Sequence, residues 1–292
     1  MTRAARAARP PDRTVWIDGR LCRGGEATLS LFDRGARDGE GLFETLRVDD
    51  GRPLLWERHM ERLVLSAAVL GFPVPASPQA LRAALDQVLA AQGLRDAVVR
   101  ITVTRGIPGG RPTRTGAWLD AEPLAGRLWR GTRAGAATVV VSRRPFAPGS
   151  LGAHKTTSRL PYHLAREEAR VAGADEALLV SEAGEVLEGA VSNVFAVIGG
   201  EVITPPLSTG ILPGITREIV LRRCAALGLP ARERTLSLAA LRSGTEMVLT
   251  NSVQEVVPVA ALDGHPMPGR EVAARLGAAY RQAVAEALAA ER

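Results

Sequence analysis

Lysine is almost missing from this chain. Of its 37 basic residues one is a lysine, at position 155, and every other one is an arginine. Wherever a solvated positive charge suffices, such drift leaves arginine. A primary amine, however, can shed its proton and attack a carbonyl, which a guanidinium cannot do. Survival by chance is the bland alternative, and the surroundings of Lys155 must decide. Cysteine is scarce as well: Cys22 and Cys224 stand far apart with no CxxC or metal-ligand spacing, which excludes a disulfide framework and a zinc site and suits a reducing cytosol. No run approaches the length of apolar sequence a membrane-spanning helix needs. The formal net charge is only +6 despite the many arginines, and acidic residues are interspersed among them, so a nucleic-acid groove is not indicated. Residues 1–13 carry basic charge but no apolar stretch, and Asp12 and the lack of serine argue against a transit peptide; they read as a frayed cytoplasmic N-terminus.

What is present is a chain of 292 residues with apolar material for two cores. The segment TVWIDGRLC predicts a hairpin turning at Asp18-Gly19, and LFETLRVDDGRPLLW predicts a second strand pair. Residues 57–70 read as a helix with Met60, Leu63, Ala67 and Leu70 on one face, closed by Gly71. Ser77-Pro78 caps another that ends at Gly93. In 97–105 strict alternation puts Val99, Ile101, Val103 and Arg105 on one face, and a charge ending an apolar face suggests a site. Phe43 and Thr45 alternate onto one side of their strand and border a candidate substrate cavity. Irregular residues 122–134 read as a linker between a small N-terminal domain, 14–121, and a larger one, 135–292, giving α+β with two mixed domains. His59 is expected on a helix surface, His163 within the helix after Lys155, and His265 in a polar loop.

The chemistry gathers around five segments. Lys155 follows a glycine-containing turn and precedes a helix in GAHKTTSRLPYHLAREEA. Glu188 lies in EVLEGAVSNVFAV among apolar neighbours, where a buried carboxylate requires a partner. A protonated pyridine nitrogen would serve, keeping the ring an electron acceptor. In GILPGITREIV the amides of Ile215 and Thr216 stand at the positive end of a helix, with the Thr216 hydroxyl as a further donor, and a phosphate fits them. Arg62 lies beside the apolar face of its helix as a rim charge or a phosphate clamp, and Ser252, after an apolar strand, can add a hydroxyl to the same anion. Asn193 secures backbone near Glu188. Taken singly, most of these features have an ordinary structural reading.

In order, DRGARDGEGLFETLRV, HMERL, Lys155, LEGAVSNVF, GILPGITR and TNSVQEVVPV closely resemble the fold-type IV pyridoxal-phosphate enzymes over about residues 14 to 265. That family includes branched-chain aminotransferases, D-amino acid aminotransferases and aminodeoxychorismate lyases. The resemblance implies that Lys155 forms a Schiff base with pyridoxal 5'-phosphate, that Glu188 contacts the pyridine nitrogen, and that Arg62, Ile215, Thr216 and Ser252 hold the phosphate. It also implies a homodimer with each active site between the two domains. Within the family three features lean one way. KTTSRL places Arg159 where branched-chain aminotransferases usually carry a tyrosine, TNS is a form frequent in lyases, and TRGIPGGR, with Arg105 and Arg111, is similar to a lyase loop. Aminodeoxychorismate carries two carboxylates that extra arginines would match. The expectation is therefore a cytoplasmic lyase eliminating pyruvate to give 4-aminobenzoate, with Arg105, Arg111, Phe43, Thr45 and Arg159 around the substrate. The competing expectation is a transaminase acting on a branched-chain or D-amino acid with 2-oxoglutarate, and a noncatalytic protein with a decayed site is a third.

Overall fold

In the computed structural model, which describes residues 12–71, 74–109, 116–132, 135–267 and 269–290, the chain forms two compact units. One comprises Met1–Arg127 with Lys155–Ser158, the other Leu128–His154 with Arg159–Arg292. The change at 127/128 falls among short 3-10 turns that follow the last strand of the first unit.

The first unit is an antiparallel sheet with helices on one face. Strands β1 (Thr14–Ile17) and β2 (Arg20–Arg23) form the hairpin around Asp18-Gly19, both in positive φ as a tight turn requires. A short helix α1 (Arg34–Asp38) leads into β3 (Gly41–Asp49), which turns back as β4 (Arg52–Pro53). Helices α2 (Trp56–Leu70) and α3 (Pro78–Gln92) follow, then β5 (Ala97–Thr104) and β6 (Ala117–Pro123), and the sheet order is β2-β1-β6-β5-β3-β4. The Ser77 hydroxyl accepts from the Ala80 amide and Gly93 takes the left-handed conformation, so α3 starts and stops where its cap residues dictate. Alternation decides the faces. Leu42, Leu46, Val99, Ile101, Val103 and Leu119 meet Met60 and Leu63 of α2 and Leu81 and Leu85 of α3 in one core, while Phe43, Thr45 and Arg100 point to the other face.

In the second unit the strands are β7 (Ala137–Val141), β8 (Glu176–Val180), β9 (Glu185–Gly189), β10 (Asn193–Ile198), β11 (Glu201–Thr204), β12 (Ala231–Glu233), β13 (Leu236–Ser237), β14 (Glu246–Asn251), β15 (Glu255–Leu262) and β16 (His265–Pro266). Helices α4 (Leu160–Val171), α5 (Ile215–Ala226), α6 (Leu238–Ser243) and α7 (Glu271–Ala290) complete it. The sheet runs β12-β11-β10-β14-β15-β7-β8-β9-β13, with β16 beside β15. Pairs β7/β8 and β11/β12 are parallel, which demands the crossovers that α4 and α5 provide. One sheet face buries Leu178, Val194, Met247, Leu249 and Val259. On the opposite face, α4 covers Ala177, Leu179 and Leu187, while α5 and α7 cover Phe195 and Val248. Among the described residues no helix is long and apolar enough to cross a membrane.

Lys155 lies in the β7–β8 crossover, yet residues 155–158 belong to the first unit. The Phe43 amide donates to the Lys155 carbonyl at 2.8 Å, the Thr157 amide to the Gly41 carbonyl at 2.8 Å, and the Thr157 hydroxyl to the Gly39 carbonyl at 2.8 Å. A Cβ on Gly41 would stand 2.8 Å from the Thr157 hydroxyl, so glycine there permits the close approach.

Candidate active site

Hydrogen bonds along the start of β3 fix the backbone of Lys155, and its ammonium nitrogen lies 4.8 Å from the centroid of the Phe43 ring. The Arg100 guanidinium stacks on the same ring at 3.6 Å, a contact of the order of 0.5–2 kcal/mol. Arg100 is absent from the sequence-derived set. Alternation along β5 gives its face, but the neighbour depends on register, which sets Arg100 against Thr45 and Thr102 against Phe43.

On the helix-covered side of β3, Glu44 is buried beneath α2 and accepts from Arg62 through both oxygens, each at 2.7 Å, and from the His59 Nδ1 at 2.8 Å. Burial alone would push the Glu44 carboxyl up, but the Arg62 charge, with the His59 charge and hydrogen bonds from both, overcomes it and holds the carboxyl well below the usual carboxylate range. Burial pushes the His59 imidazole down, and the Arg62 and Lys155 charges push the same way against Glu44. The expectation of a surface His59 is thus corrected: it is 1 % exposed, because α2 turns a wider face inward than its aliphatic residues mark. Arg62 forks onto Glu44, with two of its nitrogens engaged.

Arg105 is placed differently from the expectation. Its Nη1 and Nη2 donate to the carbonyls of Gly71 and Leu70 at the end of α2, and its Nε meets Glu40 at 2.6 Å. All three nitrogens therefore have protein partners, and Nη1 and Nη2 cap carbonyls that a helix C-terminus leaves open. Arg111 lies outside the described residues.

The second unit holds Glu188 on β9, 3 % exposed. One carboxylate oxygen accepts from the Tyr162 hydroxyl at 3.2 Å and the other from the Leu212 amide at 3.2 Å. Burial, with the Glu188 charge beside it, pushes the Tyr162 phenol above its ordinary range, so it stays protonated and donates. Arg159 stacks on the Tyr162 ring at 3.2 Å and donates to the Ala190 carbonyl. Behind Glu188 the turn at 189–192 hangs on the buried Glu176, which accepts from the Ser192 hydroxyl and the amides of Val191 and Ala177. A Cβ on Gly189 would overlap the Ser192 hydroxyl, so a larger residue there would displace the bond from Ser192 to Glu176.

The Leu212 peptide ties this carboxylate to α5. Its amide serves Glu188 and its carbonyl accepts from Asn193 at 3.0 Å, while the Asn193 oxygen fills the space a Cβ on Gly214 would need. Gly214 is the N-cap of α5 and supplies no capping side chain, so the helix start is left for an anion at its first amides, Ile215 and Thr216. The Thr216 hydroxyl is buried without a protein partner. Arg217, 3 % exposed, braces this turn by donating to the Pro205 carbonyl at 2.8 Å and the Thr204 hydroxyl, and by pairing with Glu233. The Asn251 carboxamide accepts from the amides of Val253 and Gln254 and so shapes the turn that carries Ser252. An orphaned hydroxyl and an uncapped helix start offer donors that fit a phosphate, and a buried carboxylate offers an acceptor that fits a protonated pyridine nitrogen.

Residues 41–262 match the family model of amino-transferase class IV. The chain belongs to the class IV aminotransferases. It is 33% identical over 266 residues to a Methanocaldococcus jannaschii protein named "Putative branched-chain-amino-acid aminotransferase", covering 88% of this chain and 91% of that one. It is 30% identical to a D-alanine aminotransferase of Listeria innocua, covering 86% and 88%. Its mixed α/β fold matches a hypothetical aminotransferase from Mycobacterium tuberculosis in a PLP-bound form, with a TM-score of 0.82, 27% identity and coverage of 93% and 98%. These relatives are named as aminotransferases, and the expectation of an aminodeoxychorismate lyase is revised accordingly.

Proposed function

We propose that this class IV enzyme is a pyridoxal-phosphate aminotransferase exchanging an amino group between a branched-chain or D-amino acid and 2-oxoglutarate. The observation that carries the reading is the pairing of Lys155 with Arg100 against the Phe43 ring. An amino acid presents one amine and one carboxylate, and one reactive amine beside one carboxylate-binding cation suits it. The relatives named as branched-chain and D-alanine aminotransferases support amino-group transfer over elimination.

Pyridoxal phosphate, when bound, supplies an aldehyde and an electron-poor ring. The chain does the rest. Lys155 would hold the cofactor's aldehyde carbon through its amine and, as the free amine, would carry the proton of the substrate's α-carbon. Glu188, kept in place by Tyr162 and Leu212, would accept the ring-nitrogen N–H and so keep that nitrogen protonated. The amides of Ile215 and Thr216 and the hydroxyls of Thr216 and Ser252 would take the phosphate, and Arg62, whose guanidinium Glu44 and His59 orient, would serve as its clamp. Arg100 binds the substrate carboxylate, with Phe43 and Thr45 beside it. The reading includes a homodimer in the cytoplasm. Leu65 and Val69, one turn apart on α2, are 66% and 70% exposed, as residues awaiting a partner are; light scattering measures the mass.

The test supplies the holoenzyme with L-leucine or D-alanine plus 2-oxoglutarate, and separately with aminodeoxychorismate. Glutamate formation, abolished in Lys155→Ala together with an absorbance band near ~410–420 nm, is expected. Release of 4-aminobenzoate with no amino-acid turnover would return the assignment to the lyase.

A further inference from the structure

The face of the second sheet that lies under α5 and α7 carries a polar group with no evident purpose. Strand β14 pairs antiparallel with β10 so that Thr250 is opposite Asn193 and Val248 opposite Phe195. Directly opposed residues of an antiparallel pair project to the same face. Phe195 and Val248 pack with Val220 and Cys224 of α5, and Glu246, two residues further back, accepts from the Val272 and Ala273 amides at the start of α7. Thr250 therefore faces the helices, at the end of the strand where Asn193 fits against Gly214, the N-cap of α5.

Thr250 is 1% exposed, and its hydroxyl has no hydrogen-bond partner. Threonines elsewhere on this sheet need not be left so: Thr204, equally buried, donates to the Val194 carbonyl at 2.8 Å. Among the described residues the buried threonine hydroxyls without a partner are those of Thr216 and Thr250, one on the first turn of α5 and the other on the strand beneath that turn. A buried hydroxyl without a partner lowers stability, and valine would fill the same volume without that cost. Two such hydroxyls at one helix start point to a common ligand.

We propose that the Thr250 hydroxyl is a member of the phosphate cup, donating to the anion at the α5 start. This rests on the reading that the cup takes the cofactor's phosphate. Thr250 then completes the floor of the cup, while Thr216 and the α5 amides form its wall. The bond is to a charged acceptor, so its removal weakens the phosphate-bearing ligand by about tenfold or more.

The experiment compares wild type, Thr250→Val and Thr250→Ser as apoenzymes, titrated with pyridoxal phosphate, with pyridoxal and with inorganic phosphate, and reads both affinity and the melting temperature. The Val variant is expected to bind pyridoxal phosphate and inorganic phosphate about tenfold or more weakly. Its affinity for pyridoxal stays unchanged, and its apoenzyme melts higher than wild type because the unpaired hydroxyl is gone. The Ser variant restores phosphate affinity. Equal losses for pyridoxal and pyridoxal phosphate, no loss for either, or a lower melting temperature of the Val apoenzyme would each overturn the proposal. If wild type itself binds pyridoxal as tightly as pyridoxal phosphate, the cup reading fails, a result separable from failure of Thr250 alone.

Discussion

Replacing Glu44 by glutamine removes one negative charge from a site with almost no access to water. The carboxylate is 1% exposed and accepts three hydrogen bonds, two from Arg62 at 2.7 Å and one from His59 at 2.8 Å. With an effective dielectric of about 20, opposite charges about 4 Å apart attract by about 4 kcal/mol. Deleting one partner of a buried pair typically costs about 3–5 kcal/mol, because the other charge is left without compensation. Against a typical total of about 5–15 kcal/mol, that is a large share. Urea unfolding followed by tryptophan fluorescence reads it, since Trp16 and Trp56 belong to the core of the same unit. A loss under about 1 kcal/mol would refute the reasoning, because it would place the ion pair in the solvent-screened class. Replacing Glu44 and Arg62 together by leucine and methionine should recover much of the loss in stability while cofactor affinity stays low. The pH dependence carries the same logic with a definite sign. His59 is held below its ordinary 6.5, so the unfolded chain takes up its proton first and stability falls as pH drops below 6.5. Glu44 is held below its ordinary 4.5, so its contribution is complete above that value and is lost as pH falls further. His59→Gln should flatten the upper of these two limbs and leave the lower one.

Gly214→Ala should weaken pyridoxal phosphate binding in an absorbance titration, because its Cβ would overlap the Asn193 oxygen and displace the α5 start; unchanged affinity would show that the helix start is not the phosphate site. Glu246→Ala strips two acceptors from the first turn of α7, at the Val272 and Ala273 amides, each 2.9 Å away. A loss of about 1–2 kcal/mol in urea unfolding is expected, as for other helix caps.

Much of this protein is decided locally and is therefore legible in its sequence. Ser77-Pro78 and Gly93 bound α3 because a cap bond and a left-handed glycine act within one turn. The turn at Asp18-Gly19 and the alternation in β5 follow from backbone geometry over a few residues. Lys155 stands out as the one lysine among 37 basic residues, which is what singles it out as a candidate. Partners are another matter. Arg105 sits at the end of an apolar run as a substrate-binding arginine would, yet it meets Leu70 and Gly71, more than thirty residues away in the chain. His59 has the spacing of a helix-surface residue and is drawn inward by Glu44 on a neighbouring strand. Arg100 reaches Phe43 through the register of β3 on β5, and Lys155 joins the unit that precedes it because its carbonyl continues the hydrogen bonding of β3. Local pattern chooses the face on which a side chain stands. Which group it meets there depends on register and crossover, and those are settled only when distant segments pair, so tertiary structure alone decided the partners that Arg105, Arg100 and His59 meet.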